Sequence, residues 1–396
     1  MGWKETCAVE ERYRFIQDWQ SEEWSFAEVC RRCGVSRKTG YKWLERYQTE
    51  GLEGLWDQSR APRHHPNEVV EEVAEAVLQA RRDHPHWGPA KLAAWLRREA
   101  PEIPWPAVST IGAMLQRGGL TVARKKRRRA TPSQSPLRHA GAANQVWCAD
   151  FKGWFRCGDG SRCDPLTISD GYSRFLLRCQ ALKSMDGETT RGPFEASFRE
   201  YGLPDAMRTD NGEPFASVGL GGLSSLSVWW IRLGIRVERI RPGKPQQNGR
   251  HERMHRTLKQ ATAAPAAATL RTQQQAFDRF RQEYNEERPH EALGMQTPAQ
   301  YYQTSTRPYP SRLAELGYDS EWTIRKVGPC GTMGWRGAKI FVSKVLANEP
   351  IGLEPIDDGV WRLWFSDYPL GLFEERHNTI RKLRPEPDSS LRQQGI

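Results

Sequence analysis

The chain has no uninterrupted apolar run of about 18 or more residues, the length a membrane-crossing helix needs. Its opening stretch, MGWKETCAVEERYRF, also lacks the unbroken apolar segment of a secretory signal. The expectation is therefore a soluble, cytoplasmic protein without membrane partners. Acidic residues are the minority, 48 against 59 Lys and Arg, for a net charge of +11, and the excess cations gather in the first two thirds. That balance favours a polyanionic partner, nucleic acid before all others. The eight cysteines (Cys7, Cys30, Cys33, Cys148, Cys157, Cys163, Cys179, Cys330) are scattered through a chain large enough to fold without disulfides, so reduced thiols are expected. Cys30 and Cys33 have zinc-like spacing, yet no second pair stands at knuckle distance, and His64, His65, His84 and His86 are poorly spaced to complete a site. Both thiols read as small core residues.

What the chain does have is modular. At 396 residues it exceeds one typical domain. Residues 1–58 contain an apolar-periodic segment (Phe26, Ala27, Cys30), a turn at Gly34, and a segment opened by Ser36 with Tyr41, Trp43, Leu44 and Tyr47 behind it. Helix, glycine turn, helix is the helix-turn-helix pattern. It places Arg37, Lys38 and Lys42 near the amino end of the second helix, where such a helix meets the major groove. Residues 66–122 read as a second module of three helices, helix-turn-helix or winged-helix in type. Val69, Val73, Ala76, Val77 and Ala80 form its first apolar stripe, Ser109 is a candidate cap, and Gly118 and Gly119 are a stop. The acidic first helix makes docking on protein as plausible as docking on DNA.

Residues 123–141 are too polar to bury a core and read as a flexible linker. Their cations Arg124, Lys125, Lys126, Arg127, Arg128 and Arg129 would grip phosphates without reading sequence. From Gln145 the pattern turns to short strands, then to strands alternating with helices, which indicates an α/β core over 142–305. One helix of that core should run from about Gly187 to Tyr201 with Phe194 and Phe198 inward. Beyond Thr306, short aromatic and β-branched runs broken by Gly, Pro and Asp predict a small all-β barrel over 306–396.

Three acids occupy unusual places. Asp150 falls in the strand WCADFKGWF, and Asp210 ends the strand before Asn211 and Gly212. An acid inside an apolar strand is costly unless a cation neutralises it. Glu252 sits in the basic stretch from Gln246 to Thr262, where helical spacing would align it with His255, Arg256 and Lys259. Alone, that stretch reads as well as a solvated helix with local ion pairs; with the other two acids it reads as a metal site beside a polyanion grip. Asp164 and Asp170 read as turn and edge residues, and His251 and His255 as solvated supporting residues.

The ordered set WCADFKGWF, RTDNGEPF, IRPGKPQQNGRHERMHRTLK and YNEERPHEALGMQTPAQYY resembles the integrase core of DDE transposases, close to the four-eighty-one family of bacterial insertion sequences. The resemblance covers about residues 142–305, and the two helical modules in front are similar to the same family. It implies a multidomain protein, all-α helix-turn-helix modules followed by an RNase H-like α/β domain, acting in the bacterial cytoplasm at the nucleoid. It implies a DNA transposase that binds the terminal inverted repeats of an insertion sequence, frees 3′ ends and joins them to target DNA. Asp150, Asp210 and Glu252 would hold two Mg²⁺ ions, with Mn²⁺ able to substitute. Lys259 matches the basic position that touches the element end, with Arg256 assisting, and Gln247 and Asn248 match the polar loop before the helix. At least a dimer on double-stranded DNA is implied. The span from Asp210 to Glu252 is longer than usual in the family, the surplus falling at SVGLGGLSS. The alternative is a catalytically inactive or domesticated DNA-binding regulator.

Overall fold

A computed structural model describes residues 7–59, 69–121, 140–240 and 249–383. The basic run 124–129, Gln247 and Asn248 lie outside the described residues, as do His64, His65 and nearly all of the 123–141 linker. The chain divides into two compact units, Met1–Glu68 and Val69–Ile396.

The first unit holds α1 (Ala8–Gln20), α2 (Phe26–Arg32) and α3 (Arg37–Glu50). After α2, Gly34 takes φ +65°, a conformation that strains other residues, and Ser36 then caps α3 by accepting from the Thr39 amide at 3.1 Å. Gly40 lets α3 lie close to its neighbours, since a Cβ there would stand 2.8 Å from Cys30 Sγ. Cys30 is buried with Phe15, Ile16 and Val29 as expected, whereas Cys33, at the end of α2 and past its inward face, is exposed.

The second unit opens with α4 (Glu71–Asp83), α5 (Pro89–Glu99) and α6 (Val108–Arg117), packed around Val77, Trp87, Leu92 and Ile111. Gly118 and Gly119 end α6 as expected. Ser109 does not cap it: the helix starts one residue earlier, with Ala107 at the N-cap position, so the Ser109 side chain lies within the first turn. Helix α5 of this module packs on the same chain's core. Lys91 Nζ donates to the Pro289 carbonyl at 2.7 Å, and Arg98 donates to that of Glu287 at 3.0 Å.

A mixed sheet follows. Its strands are β1 (Val146–Phe151), β2 (Phe155–Arg156), β3 (Arg162–Asp170), β4 (Leu176–Leu182), β5 (Ala206–Thr209) and β6 (Arg236–Arg239). The order is β2-β3-β1-β5-β6, with β4 also on β3. β1 is antiparallel to β3 and parallel to β5, which is parallel to β6. Helices α7 (Gly187–Tyr201) and α8 (Ser225–Arg232) bury Phe194, Phe198 and Trp230 against Trp147, Ile168 and Met207. Helices α9 (Gly249–Thr262) and α10 (Leu270–Gln282) bring Met254, Leu258 and Phe277 to a separate core with Cys163 and Cys179. The motif after α10 is fastened to the sheet: Asn285 both accepts from the Leu176 amide at 2.8 Å and donates to the Leu176 carbonyl at 3.0 Å.

The remaining strands are β7 (Thr323–Lys326), β8 (Thr332–Trp335), β9 (Ala338–Phe341), β10 (Pro350–Asp357), β11 (Val360–Phe365), β12 (Tyr368–Glu374) and β13 (Thr379–Lys382). Among the described residues they form an open antiparallel sheet, β13-β12-β11-β10-β7, and a β8–β9 hairpin over one shared core. The segment is rich in strands, but the expected small barrel is supported only loosely: among the described residues the strands form an open sheet and a separate hairpin, with no closing pair between β13 and β7. The core also takes in Leu220 and Leu223 from the surplus stretch, and Val228 and Ile231 from α8. No helix of the described residues is long and apolar enough to cross a membrane.

Candidate active site

The register of the sheet brings the first two acids level. In the parallel pair β1–β5, Cys148 stands opposite Arg208. Continuing two residues along each strand sets Asp150 opposite Asp210, on strands about 4.8 Å apart and with side chains on the same face. Asp210 follows β5 directly, its Oδ1 accepting from the Gly212 amide at 3.1 Å while Asn211 ties the turn to the Ile240 carbonyl at 2.8 Å. Glu252 lies exposed in the first turn of α9.

These acids act on one another electrically. Burial pushes the Asp150 carboxyl up from 3.8 to about 7; the charge of Asp210 adds to the rise, as does that of Glu252, while the Phe151 backbone and Lys152 work against it. The strand acid is therefore costly as a bare anion, as an apolar strand requires. Among the described residues no group of three His, Cys, Asp or Glu forms a ready metal cage. The donor chemistry still fits a hard divalent cation: carboxylates at neighbouring strand ends, the buried one pushed up by desolvation first and by its like-charged neighbours after it.

Helix α9 is half buried. His251, Met254, His255 and Leu258, at spacings of three and four, form its inward stripe. The two histidines, expected to be solvated, are only 2% and 3% exposed. Thr167 of β3, opposite Asp150 in the antiparallel register, sits 2.6 Å from Nε2 of each. His255 Nδ1 is 3.7 Å from Asp150 Oδ2. Burial lowers His251 to about 4, and burial, His251 and Lys152 lower His255 to about 2, so both are neutral and the contact with Asp150 is no ion pair. Glu252, Arg256 and Lys259 remain exposed together; His255 turns inward from that face because the helix packs on β3.

The other acids are structural. Asp170, fully buried, accepts from the Ser173 amide and hydroxyl at 2.7 and 2.6 Å and from the Asn144 amide at 2.8 Å, holding the β3–β4 turn. Asp164 is not at a strand edge but inside β3, where Arg162 grips it with two nitrogens at 2.6 and 3.0 Å. Arg37, Lys38 and Lys42 lie exposed at the amino end of α3. Thr167 carries no local mark in the sequence, because its partner is set by strand register; the signal for the inward histidines is their spacing with Met254 and Leu258.

Comparison with known proteins bears on this geometry. Family models described as "Integrase core domain" match residues 140–245 and 233–298. A "Helix-turn-helix domain" model matches 11–63, and a "Homeodomain-like domain" model matches 39–115. An integrase core behind helix-turn-helix segments supports a DDE transposase. The chain is 26% identical over 256 residues to an uncharacterized 31.7 kDa protein of insertion element IS407 from Burkholderia multivorans, a match covering 64% of this chain and 88% of that one. It is 24% identical over 238 residues to an uncharacterized 39.2 kDa protein of insertion element IS476 from Xanthomonas euvesicatoria, covering 60% and 66%. Similar solved structures include the HTLV-2 integrase catalytic core domain in complex with magnesium, at 16% identity and TM-score 0.33, covering 43% of this chain and all of that one. A chain of the simian T-cell lymphotropic virus intasome in complex with PP2A regulatory subunit B56 gamma matches at 14% identity and TM-score 0.37, covering 80% and 100%.

Proposed function

We propose that this protein is the transposase of an insertion sequence of the four-eighty-one type, binding terminal inverted repeats, cleaving 3′ ends and joining them to target DNA as at least a dimer. The observation that supports the reading is the placement of the acids: the parallel β1–β5 register leads Asp150 and Asp210 to neighbouring strand ends, where burial, and after it the charges of Asp210 and Glu252, raise the Asp150 carboxyl. Carboxylates from two strand ends and a helix then have one economical use, to hold divalent cations. Two Mg²⁺, or Mn²⁺, would lower the barrier to in-line displacement at a phosphodiester by stabilising attacking and leaving oxygens.

The protein's own groups supply the rest. Asp150 and Asp210 are fixed by strand register, and Glu252 completes the donor set from the exposed face of α9. Arg256 and Lys259, one and two turns farther along that face, hold the DNA end by its phosphates. The exposed cations of α3 read the terminal repeat, and the helical module at 69–121 supports the core through Lys91 and Arg98.

Strand cleavage of DNA carrying the element's ends, with Mg²⁺, tests this. Wild type should nick at the 3′ end and join it to target, whereas Glu252→Gln should bind the same DNA and fail to cut. Equal cutting by both, or none by wild type with Mg²⁺ or Mn²⁺, overturns the reading in favour of a binding protein.

A further inference from the structure

Thr167 is shared by two rings, and its hydroxyl has one proton to give. Its Oγ1 lies 2.6 Å from His251 Nε2 and 2.6 Å from His255 Nε2, with the Asp150 carbonyl a more distant acceptor at 3.1 Å. The hydroxyl can take both ring N–H groups and donate to the Asp150 carbonyl, or take one and donate to the other ring. Ser169 Oγ stands 3.4 Å from His251 Nδ1, at the far end of the row.

With Asp150 ionised, as it would be on a cation, only the second arrangement, run from Ser169, keeps a bare His255 Nδ1 from facing a carboxylate oxygen. If Ser169 donates to a bare His251 Nδ1, His251 carries its proton on Nε2 and gives it to Thr167. Thr167 donates in turn to His255 Nε2, which leaves the His255 proton on Nδ1, the atom 3.7 Å from Asp150 Oδ2. The reverse direction would put a bare nitrogen against a carboxylate oxygen. We propose that Ser169, His251, Thr167 and His255 form a one-way hydrogen-bond chain whose last donor, His255 Nδ1–H, orients the Asp150 carboxylate. His255 is thus a positioning residue for the acid, an inference that rests on the reading of Asp150 as a cation holder.

The geometry is built for this role. Spacing of four residues sets both histidines on the inner face of α9, their rings 4.7 Å apart and crossed at 86°. Thr167 is opposite Asp150 in the β1–β3 register, and all three partners are buried. At 3.7 Å the last contact is longer than a hydrogen bond; on this proposal it shortens to one when Asp150 is ionised on its cation, as contacts to reacting groups do when a site is loaded. The same chain fastens α9 to β3, so one set of bonds fixes the strand acid and the helix that carries Glu252. Histidines and carboxylates bound to metals commonly depend on such outer partners, whose loss weakens metal binding about 10–100-fold.

The test uses the full-length, metal-free protein labelled with ¹⁵N at histidine. His255 should show a protonated Nδ1 and a bare Nε2, and His251 the opposite, with His255→Asn and His251→Asn assigning the signals. A His255 protonated at Nε2 overturns the proposal. Mn²⁺ titration supplies the second reading: Thr167→Val should weaken binding about 10–100-fold, and Thr167→Ser, which keeps the hydroxyl, should restore it to within a few-fold. Thr167→Val binding Mn²⁺ as tightly as wild type overturns the chain's role while leaving Asp150 as ligand, provided Asp150→Asn abolishes binding. Wild-type binding that survives Asp150→Asn instead sinks the cation-holder reading and, with it, the purpose of the chain.

Discussion

The Tyr368 hydroxyl donates to the Gly221 carbonyl at 2.9 Å, joining β12 of the C-terminal sheet to the surplus stretch between Asp210 and Glu252. Around that bond, Leu220 and Leu223 are buried in the C-terminal core, Arg239 donates to the Gly222 carbonyl at 2.6 Å, and Lys382 to that of Val218 at 2.5 Å. The glycines are a requirement here: Gly221 and Gly222 take φ of +63° and +68°, and a Cβ on Gly222 would strike the Arg239 guanidinium. The surplus is therefore a strap between the α/β core and the all-β segment, and it is packed on both sides.

That packing sets the first expected outcome. Leu223→Ala removes a fully buried side chain and should cost about 2–5 kcal/mol in urea unfolding. Tyr368→Phe, which deletes one hydrogen bond and little volume, should cost about 1 kcal/mol. Wild-type stability in Leu223→Ala would show that the strap is not part of the fold.

The strap marks the limit of what the sequence made legible. A Gly- and Ser-rich run reads as a loop because local composition carries no sign of a partner a hundred residues away; its two leucines gain meaning only from β12. Helix α7, by contrast, runs from Gly187 to Tyr201 with Phe194 and Phe198 inward as its pattern requires. Asp150 and Asp210 stood out because acids break an apolar strand pattern. Thr167 had no such mark, since a threonine in a strand is ordinary and its use follows from register. The cations of α9 drew attention away from its inward stripe, so the helix looked more solvated than it is.

The structural and the candidate catalytic acids should separate in mutation. Asp170→Ala leaves the Ser173 amide and hydroxyl and the Asn144 amide without their acceptor, a loss on the order of 3 kcal/mol. Asp210→Asn keeps a carbonyl for the Gly212 amide and should change stability by no more than about 0.5 kcal/mol, while DNA strand cleavage is lost. Unfolding curves read beside cleavage assays decide; cleavage by a well-folded Asp210→Asn protein would remove that acid from the mechanism.

Asp150 gives a pH signature. Its folded value lies near 7, against 3.8 unperturbed, so between those values the folded protein keeps a proton the unfolded chain has released. Stability from this group is present below about pH 4 and falls as pH rises to 7. Asp150→Asn lacks that loss and should gain on wild type across the window, by a few kcal/mol at pH 8 in EDTA. The neutral buried histidines act in the opposite sense in both proteins, losing stability as pH falls below 6.5, and cancel in the difference. Mg²⁺ should narrow the gap at pH 8 by stabilising wild type alone. A gap of equal size at pH 4 and pH 8 would mean that Asp150 carries no folding-linked proton.

DNA binding should show where the cations act. Each Lys or Arg that neutralises a phosphate contributes about 0.9 to the slope of log affinity against log salt on duplex DNA. A side chain reading a base edge changes discrimination between sequences instead. Lys38→Ala and Lys42→Ala, on the exposed start of α3, should weaken binding to terminal-repeat DNA more than to random duplex. Arg256→Ala and Lys259→Ala, on the face of α9 with Glu252, should weaken both alike and flatten the salt slope by about 1 each. The division follows from position: α3 presents its cations as a recognition helix does, while those of α9 flank the acids proposed to act on the phosphodiester. Titrations across a range of salt, on both DNAs, give slope and ratio together. An unchanged slope in Lys259→Ala would take that residue off the DNA end.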